Sequence, residues 1–261
     1  MIPKIVHHSC EPNRKLWMPI WNSCYDSWRR HFPHHHHWNW SNRRINVFVR
    51  EKYPQYFYFF QKLPKNIMRY DISRYLLLHY YGGIYADMDT FVYRDFTNDL
   101  LQDLMIVAHP NGIITTNNET EFLSNWLMSS VAGHQFFIDC VELSKYRCEQ
   151  HLKHFGESLL DQDLIHQVLY LTGPFVVAQI FKEYKLEKQH LLSEYKYTSE
   201  HFFYHADLCV KHIGSQSWTG WIPGVDMYRE GFEYLTKDFN FYQSLNYNKK
   251  SNLSFTCESI S

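Results

Sequence analysis

The middle of the chain alternates apolar and polar positions with the period of a helix. Five apolar residues recur at helical spacing, and they are Ile67, Tyr70, Leu77, Leu78 and Tyr81. Gly82 and Gly83 interrupt this pattern and are typical of a helix end. The apolar run 84–86 that follows is short, as in a buried strand. The pattern therefore predicts a helix, a tight glycine turn and a strand, in that order.

The rest of the chain continues this alternation of strands and helices. The same patterns predict strands over 4–8 and 104–108, and helices over 19–30, 43–52, 54–61, 122–131, 134–146 and 175–184. Such an order is typical of an α/β domain with a mostly parallel central sheet flanked by helices. We expect residues 1–245 to form this single domain and residues 246–261 to form a polar tail.

Composition narrows the class of protein without identifying it. Of the 261 residues, 45% are hydrophobic and 20% are charged, as in a soluble globular protein. The formal net charge of -1 gives no overall field that would attract nucleic acid or an anionic membrane surface. Aromatic residues reach 18%, which suits stacking on sugar rings, although most of them have to be core residues. We therefore expect no nucleic-acid partner.

The cysteines and histidines do not show the spacing of a zinc site. The 6 cysteines include no Cys-x-x-Cys pair, and we expect free thiols. The run from His34 to His37 leads into a strand-like segment, where alternate imidazoles face opposite sides and cannot converge on one ion. No window reaches about 18 consecutive apolar residues, so no transmembrane segment is expected.

Two pairs of charged side chains flank the glycine turn. Asp71 and Arg74 are three residues apart on the predicted helix, so they share a face and can form an ion pair. Asp87 and Asp89 follow the predicted strand at its carboxyl end, where α/β sheets bind their ligands. Carboxylates in this position suit a hard divalent cation and the oxygens of a phosphate. We expect Asp87 and Asp89 to line a cleft that binds a cation and a phosphate.

These residues are also part of a longer motif. It consists of Arg-x-Asp-x-x-Arg-Tyr over 69–75, Gly-Gly-x-Tyr over 82–85 and Asp-x-Asp over 87–89. The combination resembles the glycosyltransferases with a DXD-type sugar-binding region. That family includes yeast initiating mannosyltransferases and is distantly related to the catalytic domains of clostridial glucosylating toxins.

The resemblance implies a fold and an activity. The fold is the GT-A type of nucleotide-diphospho-sugar transferases. The activity is transfer of a hexose, with retention of its anomeric configuration, from a nucleotide-diphosphate sugar to a hydroxyl of a glycan or other glycoconjugate acceptor. A UDP-hexose is the favoured donor, and GDP-mannose is the other candidate.

The resemblance also implies a divalent metal, Mn2+ or Mg2+, at the Asp-x-Asp motif. Asp89 is implied as a direct ligand, and Asp87 as a contact of the ribose hydroxyl or of the metal through water. His212 is implied as a third ligand, because relatives return the chain to the metal with a histidine followed shortly by Ser-Trp.

A set of substrate-binding residues follows from the same resemblance. Asp71 and Arg74 correspond to the pair that hydrogen-bonds the donor hexose, with Tyr85 in the same pocket. The other candidate contacts of nucleotide, sugar or diphosphate are His7, Asn125, His134, Ser217 and Trp218. His7 is equally consistent with an ordinary strand residue. Residues 172–174, Thr-Gly-Pro, are either an acceptor-side turn or the start of a helix.

Two other functions are compatible with these residues. A metal-dependent phosphohydrolase would use Asp87 and Asp89 with some of the 17 histidines. A non-catalytic carbohydrate-binding protein would use aromatic side chains, but it leaves the charged helix around Asp71 and Arg74 without a role. For localisation we expect a soluble cytoplasmic enzyme, with a Golgi-lumenal relative trimmed of its anchor as the alternative.

Overall fold

The structure is a computed structural model that describes most of the chain. It covers residues 1–109, 115–116, 119–120, 122–155, 164–186, 188–192, 197–199 and 208–213. These residues belong to one compact unit, Met1–Gly220. Ser217, Trp218 and the domain boundary expected at residue 245 lie outside the described residues.

A six-stranded central sheet organises the described residues. The strands are β1 (Ile5–Ser9), β2 (His36–Trp40), β3 (Gly83–Ala86), β4 (Thr90–Val92), β5 (Leu104–His109), β6 (Thr115–Thr116), β7 (Glu119–Thr120), β8 (Phe122–Ser130), β9 (Leu191–Leu192), β10 (Tyr197–Ser199) and β11 (Val210–His212). The central sheet has the order β2-β1-β3-β8-β5-β9. β1 is parallel to β2 and β3, β5 is parallel to β9, and β8 is antiparallel to both of its neighbours. The predicted α/β class with a mostly parallel sheet is confirmed.

Helices connect and flank these strands. They are α1 (Pro19–His31), α2 (Asn42–Lys52), α3 (Pro54–Lys62), α4 (Asn66–Tyr81), α5 (Gln135–Phe155), α6 (Leu164–Leu171) and α7 (Pro174–Glu183). Pro19, Pro54 and Pro174 each occupy the first helical position, where the missing N–H has no partner to lose. With the exception of 122–131, the predicted helices correspond to helices of the structure.

Helix α4 lies in the interior of the domain. Every residue from 71 to 78 is buried, so the helix is covered on all of its faces. Helices enclosed in this way are apolar around their whole circumference in most proteins. Here Asp71 and Arg74 are the exceptions, and the helix carries both charges into the core.

The Gly82-Gly83 turn joins α4 to β3 within two residues. Both glycines have positive φ, 63° at Gly82 and 93° at Gly83. A Cβ on Gly82 would lie 2.6 Å from the Ala132 nitrogen, and one on Gly83 would lie 2.6 Å from the Ile5 oxygen. Both positions therefore require glycine. Because β3 starts directly after the turn, α4 ends at the amino edge of the sheet and begins toward its carboxyl edge.

The segment 122–131 is a strand, and its prediction as a helix was wrong. β8 lies between β3 and β5 and pairs with both. Residues 123–130 are all buried, so the strand is covered on both faces. A strand of this kind lacks the alternation of apolar and polar residues that distinguishes a half-exposed strand from a helix.

A smaller sheet, of order β10-β11-β4, connects distant parts of the chain. β4 begins at Thr90, directly after the Asp-x-Asp motif. It pairs antiparallel with β11, so that His212 lies opposite Thr90. The pairing brings His212 beside Asp87 and Asp89.

Two further expectations concern the chain as a whole. The cysteines within the described residues are free, as predicted, and they are Cys10, Cys24, Cys140, Cys148 and Cys209. No helix in the described ranges is long and apolar enough to cross a bilayer.

Candidate active site

Main-chain hydrogen bonds fix the Asp-x-Asp turn at the carboxyl end of β3. The Asp87 N–H donates to the Trp126 carbonyl over 2.9 Å, and the Ile213 N–H donates to the Asp89 carbonyl over 2.7 Å. The Thr90 hydroxyl donates to the Asp87 carbonyl over 2.6 Å. The backbone of both aspartates is thus held from two sides, by β8 and by the end of β11.

Asp87, Asp89 and His212 converge at this edge of the sheet. One potential ligand atom from each lies within 4.8 Å of the other two. His212 Nε2 is 3.2 Å from Asp89 Oδ1. Neighbouring ligands of an octahedral ion with bonds of about 2.1 Å are about 3 Å apart. The distance between His212 and Asp89 therefore fits two ligands of one cation. The Asp87 side chain is 28% exposed against 11% for Asp89, so solvent reaches the group from the Asp87 side.

The charges of these three groups depend on one another. Burial raises the pKa of Asp87, with Asp89 adding to the effect and Arg74 opposing it. Burial alone would lower the pKa of His212, but the Asp89 and Asp87 carboxylates raise it above its ordinary value. Adjacent carboxylates favour a positive charge beside them, and a divalent cation provides more of it than an imidazolium.

Trp126 is a part of the site whose role the sequence did not reveal. Its indole stacks on the His212 imidazole, with ring centroids 5.0 Å apart and planes 4° from parallel. Trp126 is 4% exposed, so its position is fixed by the core. The stack therefore sets the plane of the His212 ring.

Arg74 links the group of Asp87, Asp89 and His212 to a second polar cluster. Its Nη2 is 3.1 Å from Asp71 Oδ1, and its Nη1 is 3.4 Å from Asp87 Oδ1. Nη1 also donates to the Asn125 carbonyl over 2.7 Å. The guanidinium lies over the Tyr85 ring, 4.7 Å from its centroid, and the Tyr85 hydroxyl donates to Asp87 Oδ1 over 3.0 Å. Burial alone would lower the pKa of Arg74, but Asp87, Tyr85 and Asp71 raise it, so the group stays charged.

Asp71 is buried at the centre of the second cluster. Its Oδ1 accepts a hydrogen bond from Asn125 Nδ2 over 3.0 Å, and its Oδ2 accepts one from the Thr172 hydroxyl over 2.9 Å. The Tyr75 hydroxyl donates to the Thr172 carbonyl over 2.7 Å and so holds the 172–174 turn in place. Burial raises the pKa of Asp71 to about 6, while Arg74 and the two hydrogen bonds oppose the rise. Residues 172–174 thus start α7 and also support the site.

His7 does not join these clusters. Its ring is fully buried, Nε2 is 2.8 Å from the Gly82 carbonyl oxygen, and Nδ1 accepts a hydrogen bond from Trp40 Nε1 over 3.1 Å. Burial lowers the pKa of His7 to about 4, so the ring is neutral and its proton is on Nε2. Both nitrogens are engaged within the protein. Of the two interpretations of His7, these contacts favour the ordinary strand residue over a nucleotide contact.

His134 lies at the opposite edge of the sheet. Ser130, at the end of β8, pairs with Gly83 at the start of β3, so the segment after β8 is at the amino edge. His134 Nδ1 accepts from the Phe136 N–H over 3.3 Å at the start of α5. The four residues of β3 separate this edge from Asp87 by about 13 Å. The structure therefore does not bring His134 to the expected sugar pocket, because β8 runs in the direction opposite to β3.

A family model matches the part of the chain that contains both aspartate motifs. The model is described as a glycosyltransferase sugar-binding region containing a DXD motif, and it matches residues 19–107. The match extends from α1 into β5 and includes Asp71, Arg74, Asp87 and Asp89. It does not extend to β8 or to His212.

Curated relatives come from two yeasts. Inositol phosphoceramide mannosyltransferase 3 of Schizosaccharomyces pombe is 27% identical over 187 residues, which cover 70% of this chain and 46% of the relative. A mannosyl phosphorylinositol ceramide synthase of Saccharomyces cerevisiae is 26% identical over 188 residues, with coverage of 71% and 44%. The chain thus spans about half the length of the curated relatives that it matches.

Solved structures with some likeness include two glycosyltransferases. The PaToxG glycosyltransferase has a TM-score of 0.47 and 16% identity, with coverage of 70% of this chain and 69% of that chain. The apo-form glycosyltransferase GlyE of Streptococcus pneumoniae has a TM-score of 0.39 and 12% identity, with coverage of 96% and 66%. The sequence matches are the informative ones. Residues 19–107 match the model of a glycosyltransferase sugar-binding region with a DXD motif, and the yeast mannosyltransferases are homologues of this chain.

Proposed function

We propose that this chain is a metal-dependent glycosyltransferase that moves a hexose from a nucleotide-diphosphate sugar to a hydroxyl of a glycoconjugate acceptor. The shared position of Asp87 supports the proposal most. Its carboxylate belongs to the group with Asp89 and His212, and it also lies 3.4 Å from Arg74 in the buried cluster around Asp71. Sugar transfer requires this adjacency, because the diphosphate and the hexose that it carries have to be bound side by side.

GDP-mannose is the sugar donor that we favour. The motif alone favours a UDP-hexose, but the relatives in both yeasts are named for mannosyl transfer or mannosyl lipid synthesis. The names of the relatives also point to an acceptor, because one of them is named for inositol phosphoceramide. We therefore propose an inositol-phosphate ceramide lipid, or a glycoconjugate of similar chemistry, as the acceptor.

Asp87, Asp89 and His212 would hold the divalent cation, Mn2+ or Mg2+. Two carboxylates and one imidazole within 4.8 Å of one another fit such an ion, and the imidazole favours Mn2+ over the harder Mg2+. When bound, the cation would neutralise the diphosphate and stabilise the charge that develops on it. The carboxylates and the diphosphate alone would repel one another in a poorly solvated cleft.

Arg74 and Asp71 would orient the hexose. Arg74 Nε is buried and has no hydrogen-bond partner among the described residues. The rest of the guanidinium is fixed by Asp71 and by the Asn125 carbonyl. An oxygen of the donor hexose would provide the hydrogen-bond acceptor that Arg74 Nε lacks.

Retention by a front-face route fits the state of Asp71 better than a double displacement. A double displacement needs a carboxylate oxygen that is free to attack the anomeric carbon. Both Asp71 oxygens accept hydrogen bonds from buried donors, and Asp87 and Asp89 are committed to the cation in this proposal. We therefore propose that an oxygen of the leaving diphosphate takes the proton of the acceptor hydroxyl.

A transfer assay with three donors tests the proposal. The protein is incubated with GDP-mannose, UDP-glucose or UDP-galactose and inositol phosphoceramide, in Mn2+ and in EDTA. We expect transfer from GDP-mannose in Mn2+ alone, and NMR of the product should show the retained anomer. Full transfer in EDTA would contradict the metal role. Phosphate release without any acceptor would favour the phosphohydrolase, and glycan binding without turnover would favour the binding protein.

A further inference from the structure

Positive charge is concentrated in the helices that precede the candidate site. Residues 42–69 contain one acidic residue, Glu51, and seven basic residues, which gives a net charge of +6. The basic residues are Arg43, Arg44, Arg50, Lys52, Lys62, Lys65 and Arg69. The whole chain has a formal net charge of -1, so the near-neutral total conceals a strong local field.

Four of these cations are available to a partner. Arg43, Arg50, Lys52 and Lys62 are exposed. Within the described residues, no ion pair joins any of the four to a carboxylate. Without neighbouring carboxylates to neutralise them, these four cations leave a positive surface, which favours an anionic partner.

Exposed tyrosines accompany the exposed lysines. Tyr58, in the middle of α3, is 75% exposed, and Lys62 Nζ lies 5.6 Å from its ring centroid. Tyr80 is 41% exposed, and Lys52 Nζ lies 5.4 Å from its ring centroid. Tyrosine rings flanked by lysine are typical of surfaces that lie in the headgroup region of a bilayer.

The beginning of α2 borders the candidate site, whereas Lys52, beside Tyr80 at the end of α4, lies toward the amino edge of the sheet. β2 is parallel to β1, and β1 is parallel to β3, so all three strands end at the edge that carries Asp87. α2 begins two residues after β2 ends, and α4 begins toward the same edge. The beginning of α2, with Arg43, therefore lies at the same edge of the sheet as Asp87.

We propose that Arg43, Arg50, Lys52, Tyr58 and Lys62 form a docking surface for a bilayer that contains anionic lipids. This α2–α3 surface would hold the protein on the membrane that contains the acceptor. The choice of a membrane over a nucleic acid rests on the proposed function, because a lipid acceptor has to be reached in its bilayer. The concentration of charge is independent of that function.

Vesicle sedimentation tests the α2–α3 surface directly. The protein is mixed with vesicles of phosphatidylcholine, with and without phosphatidylserine, in the absence of donor and metal. We expect binding only when phosphatidylserine is present, and we expect added salt to weaken it. A variant with Arg43→Gln, Arg50→Gln, Lys52→Gln and Lys62→Gln should lose affinity about tenfold or more. Tyr58→Ser should cause a smaller loss that salt does not change.

A matched variant separates this surface from general charge attraction. Lys4, Arg29, Arg30 and Lys153 are also exposed, and changing all four to Gln removes the same charge elsewhere. This control should bind vesicles like the unaltered protein, and circular dichroism should show that both variants fold. Equal losses in the two variants, full binding by the α2–α3 variant, or tighter binding to RNA than to vesicles would overturn the proposal. Vesicle binding without any sugar transfer would contradict the proposed function and leave the docking surface supported.

Discussion

Two buried polar regions of this molecule differ in the charge that they keep. Beside β3, Asp71 and Arg74 are each 3% exposed and form an ion pair at 3.1 Å. On β1, His7 and His8 are buried as deeply, but burial lowers the pKa of His7 to about 4 and that of His8 to about 3, so both rings are neutral. The amount of burial is the same in the two regions. The partners differ, because Arg74 faces carboxylates whereas the histidines face main-chain carbonyls.

This difference shows where the protein tolerates buried charges that cost stability. Buried ion pairs recover their desolvation cost only partly, and apolar residues of similar volume often stabilise a fold more. The neutral histidines carry no such cost. A charge that is retained in the core next to Asp87 and Asp89 is therefore better explained by ligand binding than by stability.

Of the changes considered, the loss of Arg74 from the charged region should lower the stability of the protein most. Arg74→Ala leaves Asp71 buried without a countercharge, and we expect the free energy of unfolding to fall by about 3–5 kcal/mol. Urea unfolding at neutral pH measures the loss. Arg43→Ala, at an exposed position, should change the free energy by less than about 0.5 kcal/mol.

A second variant separates the stability of Arg74 from its proposed role. Arg74→Lys keeps the charge but loses the planar fork that contacts Asp71 and the Asn125 carbonyl together. It should fold and bind nucleotide diphosphate, yet transfer sugar poorly. Normal transfer by a folded Arg74→Lys protein would contradict the assignment to the hexose.

The stability that depends on the neutral rings of His7 and His8 should decrease in acid. The folded-state pKa values of His7 and His8 lie below the ordinary 6.5, so the unfolded chain binds more protons in acid. The stability due to the neutral rings is fully present above pH 6.5 and is lost as the pH falls toward 4 and 3. For His7 the loss at pH 4 should be of the order of 2–3 kcal/mol.

Urea unfolding at pH 7 and pH 4.5 checks this expectation. His7→Asn should lose less stability between the two pH values than the unaltered protein does. His36→Asn changes an exposed histidine of the neighbouring strand and is the matched control. Identical pH dependence in all three proteins would show that His7 does not resist protonation.

Asp87, Asp89 and His212, the proposed cation ligands, allow a test at the more exposed side of the charged region. Asp89→Asn should weaken Mn2+-dependent binding of nucleotide diphosphate about tenfold or more. The effect of Asp87→Asn should be smaller, because Asp89 is the carboxylate that lies beside His212. Calorimetry in Mn2+ and in EDTA measures both, with Asp26→Asn as an exposed control. Unaltered binding in both site variants would contradict the assignment of these residues.

The smallest effect concerns one hydrogen bond to Asp71. Thr172→Val keeps the shape of the side chain and removes the buried donor to Asp71 Oδ2, which should cost about 1–2 kcal/mol. Thr97 donates a hydrogen bond of 2.6 Å to Asp95 on the surface, so Thr97→Val is a matched control with an expected cost below about 0.5 kcal/mol. Urea unfolding of both variants measures whether the loss of the buried hydrogen bond costs more stability than the loss of the exposed one.

The charged region is predictable where its residues are close in sequence. Asp71 and Arg74 share a helix face, and Asp87 and Asp89 follow one strand, so local periodicity is enough to find them. The roles of Trp126 and Thr172 are not predictable in this way. Their contacts with His212 and Asp71 arise from packing between segments that are distant in the chain, and neither residue has a local pattern that shows it.

The direction of β8 explains the largest error. Both faces of β8 are buried, so its sequence lacks the alternation that identifies a half-exposed strand. Once 122–131 is read as a helix, nothing in the sequence shows that Asn125 lies at one edge of the sheet and His134 at the other. The location of His212 was accessible only through the family resemblance, because β11 and β4 pair although they are distant in the sequence.

The pairing of β11 with β4 also sets an order of events during synthesis. Asp87 and Asp89 leave the ribosome long before His212 does. Until β11 emerges and pairs with β4, the nascent chain has the sugar-binding motif but lacks the imidazole beside it. Under the proposed function, a half-made protein would bind its cation weakly and leave cellular sugar donors untouched. Translation itself would thus delay activity until the described part of the chain is nearly complete.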